Sequence, residues 1–354
     1  MQQVASLTRA EFDEHTRGLP RAGKVAGAIY RQALRSGRFE PEEHVGGDAA
    51  AAAWRARFAL TVPTARCEEA HDAQAGTTVK AVVELEDGLE VEMVHIPMGH
   101  ARHTLCISSQ VGCKMGCRFC ETARLGLLRA MKVHEIVGQL LVARRTLGWA
   151  FERVVFMGMG EPLDHADVLC QVLRVLTDPG GLAMPHDHLT VCTVGVIPGI
   201  ERLGELGMKR LNLSVSLNAA NDALRDELMP VNRRAPLAEL QGALAAYRQR
   251  ANFQLGVNYC LLPGLNDSRD DARDVARFCA PLGRVLVNVI PYNPGNVPLT
   301  RAATDDEVSR FVGWLREEGL RVRRRVTKGR ESMAACGQLG NVELREGRRR
   351  LPVR

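Results

Sequence analysis

The chain contains no run of about 18 apolar residues, the minimum for a helix that crosses a bilayer, so no membrane partner is expected. It also lacks the charged start, apolar stretch and small-residue cleavage site of a secretory leader. Its ten cysteines are therefore expected in the cytoplasm, where thiols stay reduced and serve metals or catalysis rather than a disulfide framework. No repeat of fixed period runs through it, which argues against a solenoid or propeller. Acidic residues are outnumbered: the formal net charge is +6, a balance that suits a polyanionic partner. With 354 residues, 45% of them hydrophobic, there is enough chain for one barrel-sized domain and a smaller module.

A fourth cysteine is the most telling lack. Cys113-Lys-Met-Gly-Cys117-Arg-Phe-Cys120 places three cysteines in CxxxCxxC spacing, and none follows in register. A [4Fe–4S] cube normally takes four thiolates. With three, one iron stays open to a cofactor or substrate, as the open position of a catalytic zinc does. Zinc is the competing reading, although it prefers CxxC pairs with a fourth ligand close by.

Thr8-Arg-Ala-Glu11 has the form of a capping box, with Leu7 and Phe12 placed as a hydrophobic staple. Ala26, Ile29, Tyr30, Ala33 and Leu34 form a stripe that predicts a helix from about Arg21 to Ser36. Lys24, Arg31, Arg35 and Arg38 fall near another face, which suits solvent and RNA phosphate equally. Gly46–Ala53 is low in complexity and fits a helix or a linker. Asp87-Gly88 between Val79–Leu85 and Leu89–Ile96 is a type I′ hairpin signal. From Cys106 on, β-rich runs alternate with helical stripes. The strands expected are Thr104–Ser108, Val154–Met157, Leu189–Thr193, Leu211–Ser216, Gln254–Leu261 and Val285–Ile290. The clearest helix between them carries Val133, Ile136, Val137, Leu140 and Leu141 on one face. This alternation predicts parallel strands with right-handed crossovers, in too few units to close an eightfold barrel. The fold class expected is α/β: a partial (β/α)6 barrel over 103–342. A helical accessory module for RNA binding at 1–75, a hairpin extension at 76–102 and a basic tail at 343–354 complete the expected organisation.

With Phe119 directly before the third cysteine, the trio resembles the radical S-adenosylmethionine (SAM) signature. Five segments then narrow the likeness: Thr104-Leu-Cys-Ile-Ser-Ser-Gln-Val-Gly-Cys113, Gly158-Met-Gly-Glu-Pro162, Ser216-Leu-Asn218, Pro291-Tyr-Asn-Pro294 and Ala334-Ala-Cys-Gly-Gln-Leu339. In this order they resemble the RlmN/Cfr family of RNA adenine methyltransferases over nearly the whole chain. The resemblance implies that Cys113, Cys117 and Cys120 hold a [4Fe–4S] cluster whose open iron binds SAM. It places SAM against Gly160, Glu161, Cys192, Ser216, Leu217, Asn218 and Asn293. One-electron cleavage of SAM is then expected to give a 5′-deoxyadenosyl radical, with a donor such as flavodoxin or ferredoxin. Cys336 is implied to accept a methyl group from SAM as a thiolate nucleophile and to lose a hydrogen from that S-methyl group to the radical. The carbon radical then adds to carbon 2 or 8 of an adenine in 23S ribosomal RNA and/or transfer RNA. Cys106 is implied to resolve the RNA–protein adduct through a disulfide with Cys336, and Glu92 to take up a proton, at a cost of two SAM molecules per methyl delivered.

Read without the resemblance, several of these residues have plainer roles. Cys106 suits a buried strand, Glu92 shares a strand face with Glu90 and solvent, and Asn293 suits a turn before Pro294. Cys67, Cys170, Cys192, Cys260 and Cys279 suit structural positions. The chain also departs from the family pattern: Cys192 stands where Ser is expected and Asn218 where His is common. Lys328–Met333 is short and lacks an acidic run, so a different target choice is expected. Basic groups in Arg321–Arg330 and in the Arg345–Arg354 tail suit phosphate contacts. The target adenine must leave its stack to be reached. A radical SAM enzyme with a non-RNA substrate and a non-catalytic, zinc-containing RNA-binding protein remain alternatives at this point.

Overall fold

Val, Ile and Leu recur at alternate positions in the β-rich runs, so each run can bury one side of a sheet. A computed structural model of the chain describes residues 1–70, 76–99, 102–247, 250–326 and 333–340. The Arg345–Arg354 tail, most of Lys328–Met333 and the end of the Arg321–Arg330 stretch lie outside the described residues. The runs build one ten-stranded sheet. Its strands are β1 Thr64–Ala70, β2 Thr78–Glu84, β3 Glu90–Pro97, β4 His103–Cys106, β5 Arg153–Phe156, β6 Leu189–Thr193, β7 Asn212–Ser216, β8 Leu255–Leu261, β9 Val285–Pro291 and β10 Val322–Arg324. Spatial order follows chain order from one edge to the other. β1 to β4 pair antiparallel and β4 to β10 pair parallel.

All six expected barrel strands are present, and a helix follows each: Val133–Arg145, Ala166–Thr177, Ile197–Glu205, Leu237–Ala246, Arg269–Cys279 and Asp305–Glu317. β10 is a seventh parallel strand that the sequence did not announce. Its Val-Arg-Arg run has no apolar alternation, and it joins the sheet by register with Val287, Asn288 and Val289. Along β9, Val285, Val287 and Val289 are buried beneath helices, while Leu286, Asn288 and Ile290 are half-buried on the opposite, more polar face. Asn288 donates to Asn258 across that face at 3.1 Å.

The hairpin forms where expected, with Glu84 opposite Glu90, but its turn is not type I′. Gly88 N–H donates to Leu85 O at 2.9 Å and Leu85 N–H to Leu89 O at 2.8 Å. Of the turn residues only Gly88 has positive φ, 76°, as in three-residue loops that end in a left-handed glycine. Asp87 keeps negative φ, and its carboxylate accepts from Arg129 at 2.7 Å. β1 adds a third antiparallel strand inside the stretch expected to be helical.

The Thr8 capping box is made in full. The second helix runs Ala22–Ser36 and stops at left-handed Gly37. Gly46–Ala53 resolves into the lead-in and first turns of helix Asp48–Arg57. Phe12 meets the rings of Tyr30, Trp54 and Phe58 at 5.4, 6.1 and 4.7 Å. This module shares one apolar cluster with the barrel. Arg9 N–H donates to Asp178 at 2.6 Å and Arg35 Nε to Gly181 O at 2.9 Å, while Arg38 pairs with Glu40 and Glu43. Arg35 and Arg38 of the basic face are thus engaged within the chain. Among the described residues no helix is long and apolar enough to cross a membrane.

Candidate active site

Parallel strands deliver their following loops to one edge of the sheet, and ligand sites of α/β folds lie there. The Cys113–Cys120 loop follows β4 and lies in the connection between the two paired strands Gln110–Gly112 and Leu127–Ala130. Gly112, just before Cys113, has φ 78°, and a Cβ on it would stand 1.8 Å from Gly126 O. Only glycine fits, and Cys113 N–H then donates to that same Gly126 O at 3.0 Å. Cys113 and Cys117 are buried in a separate apolar cluster with Met115, Ala219, Leu228, Met229, Leu262 and Tyr292, and Cys120 packs against it.

Burial pushes the Cys113 thiol up to about 12 and those of Cys117 and Cys120 upward too. A charge on Cys120 raises Cys113 and Cys117 further. Three buried sulfurs that resist ionising together suit a positively charged core that deprotonates all of them on binding. Three cysteine sulfurs in one loop are the donor type that iron–sulfur clusters take. The donor set fits the cluster expected.

The Gly158–Glu161 turn after β5 is stitched to the segment before the cysteine loop. Met159 N–H donates to Ser108 Oγ at 2.8 Å and Glu161 N–H to Gln110 Oε1 at 2.9 Å. A Cβ at Gly158 would lie 2.6 Å from Ile107 O, and one at Gly160 2.6 Å from Gln110 Cβ. Both glycines are therefore required by chain packing. Glu161 is buried and accepts from Leu163 N–H at 3.0 Å and Val194 N–H at 2.8 Å. Burial outweighs these bonds and lifts its carboxyl to about 7.

Ser216, Leu217 and Asn218 leave the end of β7. Asn218 is left-handed (φ 59°), a conformation that Asn tolerates better than most residues. Its Oδ1 accepts from Cys260 N–H at 2.8 Å and its Nδ2 donates to Met229 Sδ at 3.3 Å. Its side chain therefore already braces the site. Cys192 is buried in β6 beside Ser214 of β7.

The segment around Cys336 is held over these strand ends from three sides. Glu121 N–H, one residue beyond Cys120, donates to Gly337 O at 2.9 Å, and Thr122 Oγ1 donates to Leu339 O at 2.5 Å. Asn293 Nδ2, past β9, donates to Cys336 O at 3.3 Å, and Gln338 Nε2 donates to Pro294 O at 2.8 Å. From β3, Glu92 accepts from Gly340 N–H at 2.7 Å. Glu92 is not the solvated strand residue that its alternation with Glu90 permitted: it is buried and pairs with buried Lys80 at 3.1 Å.

Cys336 is solvent-exposed as a residue, yet protein surrounds its thiol closely enough to push it up to about 11. Burial, then charge on Cys336, pushes Cys106 up to about 12. Cys192 and Cys260 feel the same two effects in the same order. Arg325, just beyond β10, pulls Cys106, Cys192 and Cys336 the other way. Cys106, Cys192, Cys260 and Cys336 thus share one electrostatic neighbourhood, and Cys120 adjoins it through Cys336 and Cys260.

Every expected site residue therefore lies on a strand of this sheet, in a loop that leaves its carboxyl edge, or in the segment that covers that edge. Lys80, Gly112 and Cys260 were missed, and Arg325 was expected only as a phosphate contact. The hairpin pattern held a signal for Lys80: two residues before Val82, the partner of Glu92, it lies on the same face. Cys260 alternates with Asn258 in β8 in the same way. Arg325 gave none for its place near these cysteines, because β10 has no strand pattern.

The comparisons with known proteins agree with this geometry. The profile "Radical SAM superfamily" matches residues 107–279. The "Probable dual-specificity RNA methyltransferase RlmN 1" of Protochlamydia amoebophila is 43% identical over 270 residues, 76% of this chain and 75% of that protein. The "Dual-specificity RNA methyltransferase RlmN" of Syntrophotalea carbinolica is 41% identical over 285 residues, 80% of this chain and 74% of that protein. A crystal structure of a radical SAM methyltransferase from Sphaerobacter thermophilus superposes with a TM-score of 0.86 at 33% identity, covering 96% of this chain and 99% of that one. The three-cysteine loop, the partial parallel barrel and these relatives together place the chain in the RlmN family of the radical SAM superfamily.

Proposed function

We propose that the protein is a SAM-dependent RNA methyltransferase that adds a methyl group to carbon 2 or carbon 8 of an adenosine in 23S ribosomal RNA and/or transfer RNA. Its relatives carry the name of dual-specificity RNA methyltransferases, and one observation here supports that chemistry most directly. The segment that bears Cys336 is hydrogen-bonded to Glu121 and Thr122, immediately after the third cysteine of the trio. A lone radical SAM site has no use for a further thiol held at its rim; a methyl carrier does.

Cys113, Cys117 and Cys120 would hold the [4Fe–4S] cluster, and Gly160, Glu161, Cys192, Ser216, Leu217, Asn218 and Asn293 line the space for SAM. Bound together, cluster and SAM supply one-electron cleavage to a carbon-centred radical, with flavodoxin or ferredoxin as the electron source. Cys336 accepts the methyl group as a thioether and presents it to the adenine. Cys106, buried and electrostatically linked to Cys336, would then attack the Cys336 sulfur: the S–S bond forms as the bond from that sulfur to the adenine-borne carbon breaks, and the carbon keeps the electron pair and takes a proton to leave the methylated product. Glu92 keeps the Cys336 segment in place through Gly340 and stands ready to take a proton. Radical chemistry suits the target because a ring carbon bonded to hydrogen is too poor a nucleophile for direct displacement on a sulfonium.

Nucleosides from 23S ribosomal and transfer RNA of cells with and without the protein test the proposal by mass spectrometry. Loss of 2-methyladenosine or 8-methyladenosine is expected in its absence. Unchanged levels of both would rule the proposal out.

A further inference from the structure

Helix Asp222–Leu228 lies against the cysteine loop. Arg118 N–H donates to Leu228 O at 3.0 Å, and Leu228 and Met229 share an apolar cluster with Cys113, Met115 and Cys117. Arg225 projects from this helix and is only 1% exposed. Burying a charge is costly unless it is paired, yet every hydrogen bond its guanidinium makes among the described residues ends on a neutral oxygen. Nη2 donates to Val194 O at 2.6 Å and Ser216 O at 3.5 Å, Nε to Leu217 O at 3.1 Å, and Nη1 to Asn232 Oδ1 at 2.7 Å. Asp222 and Asp226 stand one amide away, accepting from Asn232 Nδ2 at 2.8 and 2.7 Å. Leu228 and Met229, three and four positions on from Arg225, lie on the same side of the helix and pack against Cys113 and Cys117. The guanidinium thus joins the ends of β6 and β7 and sets a positive charge, hydrogen-bonded to no carboxylate, on the side of the helix that packs against the cysteine loop.

We infer that Arg225 is the fixed counter-charge of the iron–sulfur centre, and that it raises the reduction potential of that centre. The inference rests on the reading that Cys113, Cys117 and Cys120 bind a [4Fe–4S] cluster. Three thiolates outweigh the positive core of the cube, and an added electron increases the excess of negative charge. A cation fixed nearby in a low-dielectric setting stabilises the reduced form more than the oxidised one. The carbonyls that Arg225 holds keep it there when no electron is present. The role is one of positioning and electrostatics, since Arg225 itself touches no reacting atom.

The test is an anaerobic redox titration of the reconstituted protein, followed by electron paramagnetic resonance. Wild type, Arg225→Lys, Arg225→Gln and Asp226→Asn are compared, with iron and sulfide counted in each. Arg225→Gln is expected to lower the ratio of reduced to oxidised cluster at a given potential about tenfold, ~59 mV for a one-electron couple. Arg225→Lys, which keeps the charge, is expected to retain most of the wild-type potential. Asp226→Asn leaves Arg225 in place and removes an opposing charge, so its midpoint is expected to rise; this arm stands even if Arg225→Gln fails to fold. Equal midpoints in all four, or equal shifts in the Lys and Gln variants, would overturn the inference while leaving the cluster reading intact. A wild-type chain that binds no iron and sulfide would overturn both.

Discussion

Gly340 donates its backbone N–H to the carboxylate of Glu92 at 2.7 Å, across 248 residues of chain. Glu92 is the strand end of this contact, and buried Lys80 pairs with it at 3.1 Å. The antiparallel extension therefore steadies the segment that carries Cys336, which hydropathy alone does not suggest.

Removing Lys80 takes away the cation that the buried Glu92 carboxylate faces. Lys80→Met is expected to cost about 3–5 kcal/mol of stability, and Glu92→Leu to destabilise the fold as well. The double variant should cost clearly less than the sum of the two, and urea denaturation of all four proteins measures the difference. Additive costs would mean the pair is not coupled in solution.

Cys336→Ala is expected to keep its iron and its fold and to show no methyl-cysteine by intact mass after incubation with SAM. Cys106→Ala should acquire that methyl group and then accumulate protein covalently joined to RNA. Free turnover by the Cys106→Ala variant would remove Cys106 from the resolving step.

Glycine at 112 is a steric requirement, whereas at 88 it is conformational. Gly112→Ala drives a Cβ into Gly126 O and is expected to cost more than about 2 kcal/mol and to lower the iron bound per chain. Gly88 has open space around it, so Gly88→Ala should cost only about 1–2 kcal/mol for its left-handed backbone and leave iron content unchanged. Thermal unfolding and iron analysis separate the two.

The carboxyl of Glu161 is lifted from 4.5 to about 7 by burial. Between those values the folded state holds a proton that the unfolded state has released, so stability from this group falls as pH rises. Its contribution is fully present below about pH 4.5 and is lost as pH passes 7. The stability difference between wild type and Glu161→Gln, followed by denaturant midpoints across this range, should therefore narrow on the acid side and widen on the alkaline side in favour of Gln. A pH-independent difference would contradict the shift.

The barrel was legible because its strands are fully apolar on one face and its helices carry clean stripes, as in Val133–Arg145. The three cysteines were legible by spacing alone, and Cys106, Cys336 and Glu92 only through a family likeness. β10 and the place of Arg325 escaped because a three-residue edge strand takes its structure from a neighbour's backbone rather than from its own side chains. The hairpin turn was misjudged at one residue: Asp-Gly is compatible with two turn types, and the Asp87–Arg129 contact belongs to tertiary structure. Arg225 was invisible, since nothing in Asp-Ala-Leu-Arg-Asp-Glu-Leu distinguishes a surface arginine from a buried one.

The bonds from Glu121 and Thr122 to Gly337 and Leu339 tie the three-cysteine loop to the Cys336 segment, so a displacement of either is carried directly to the other.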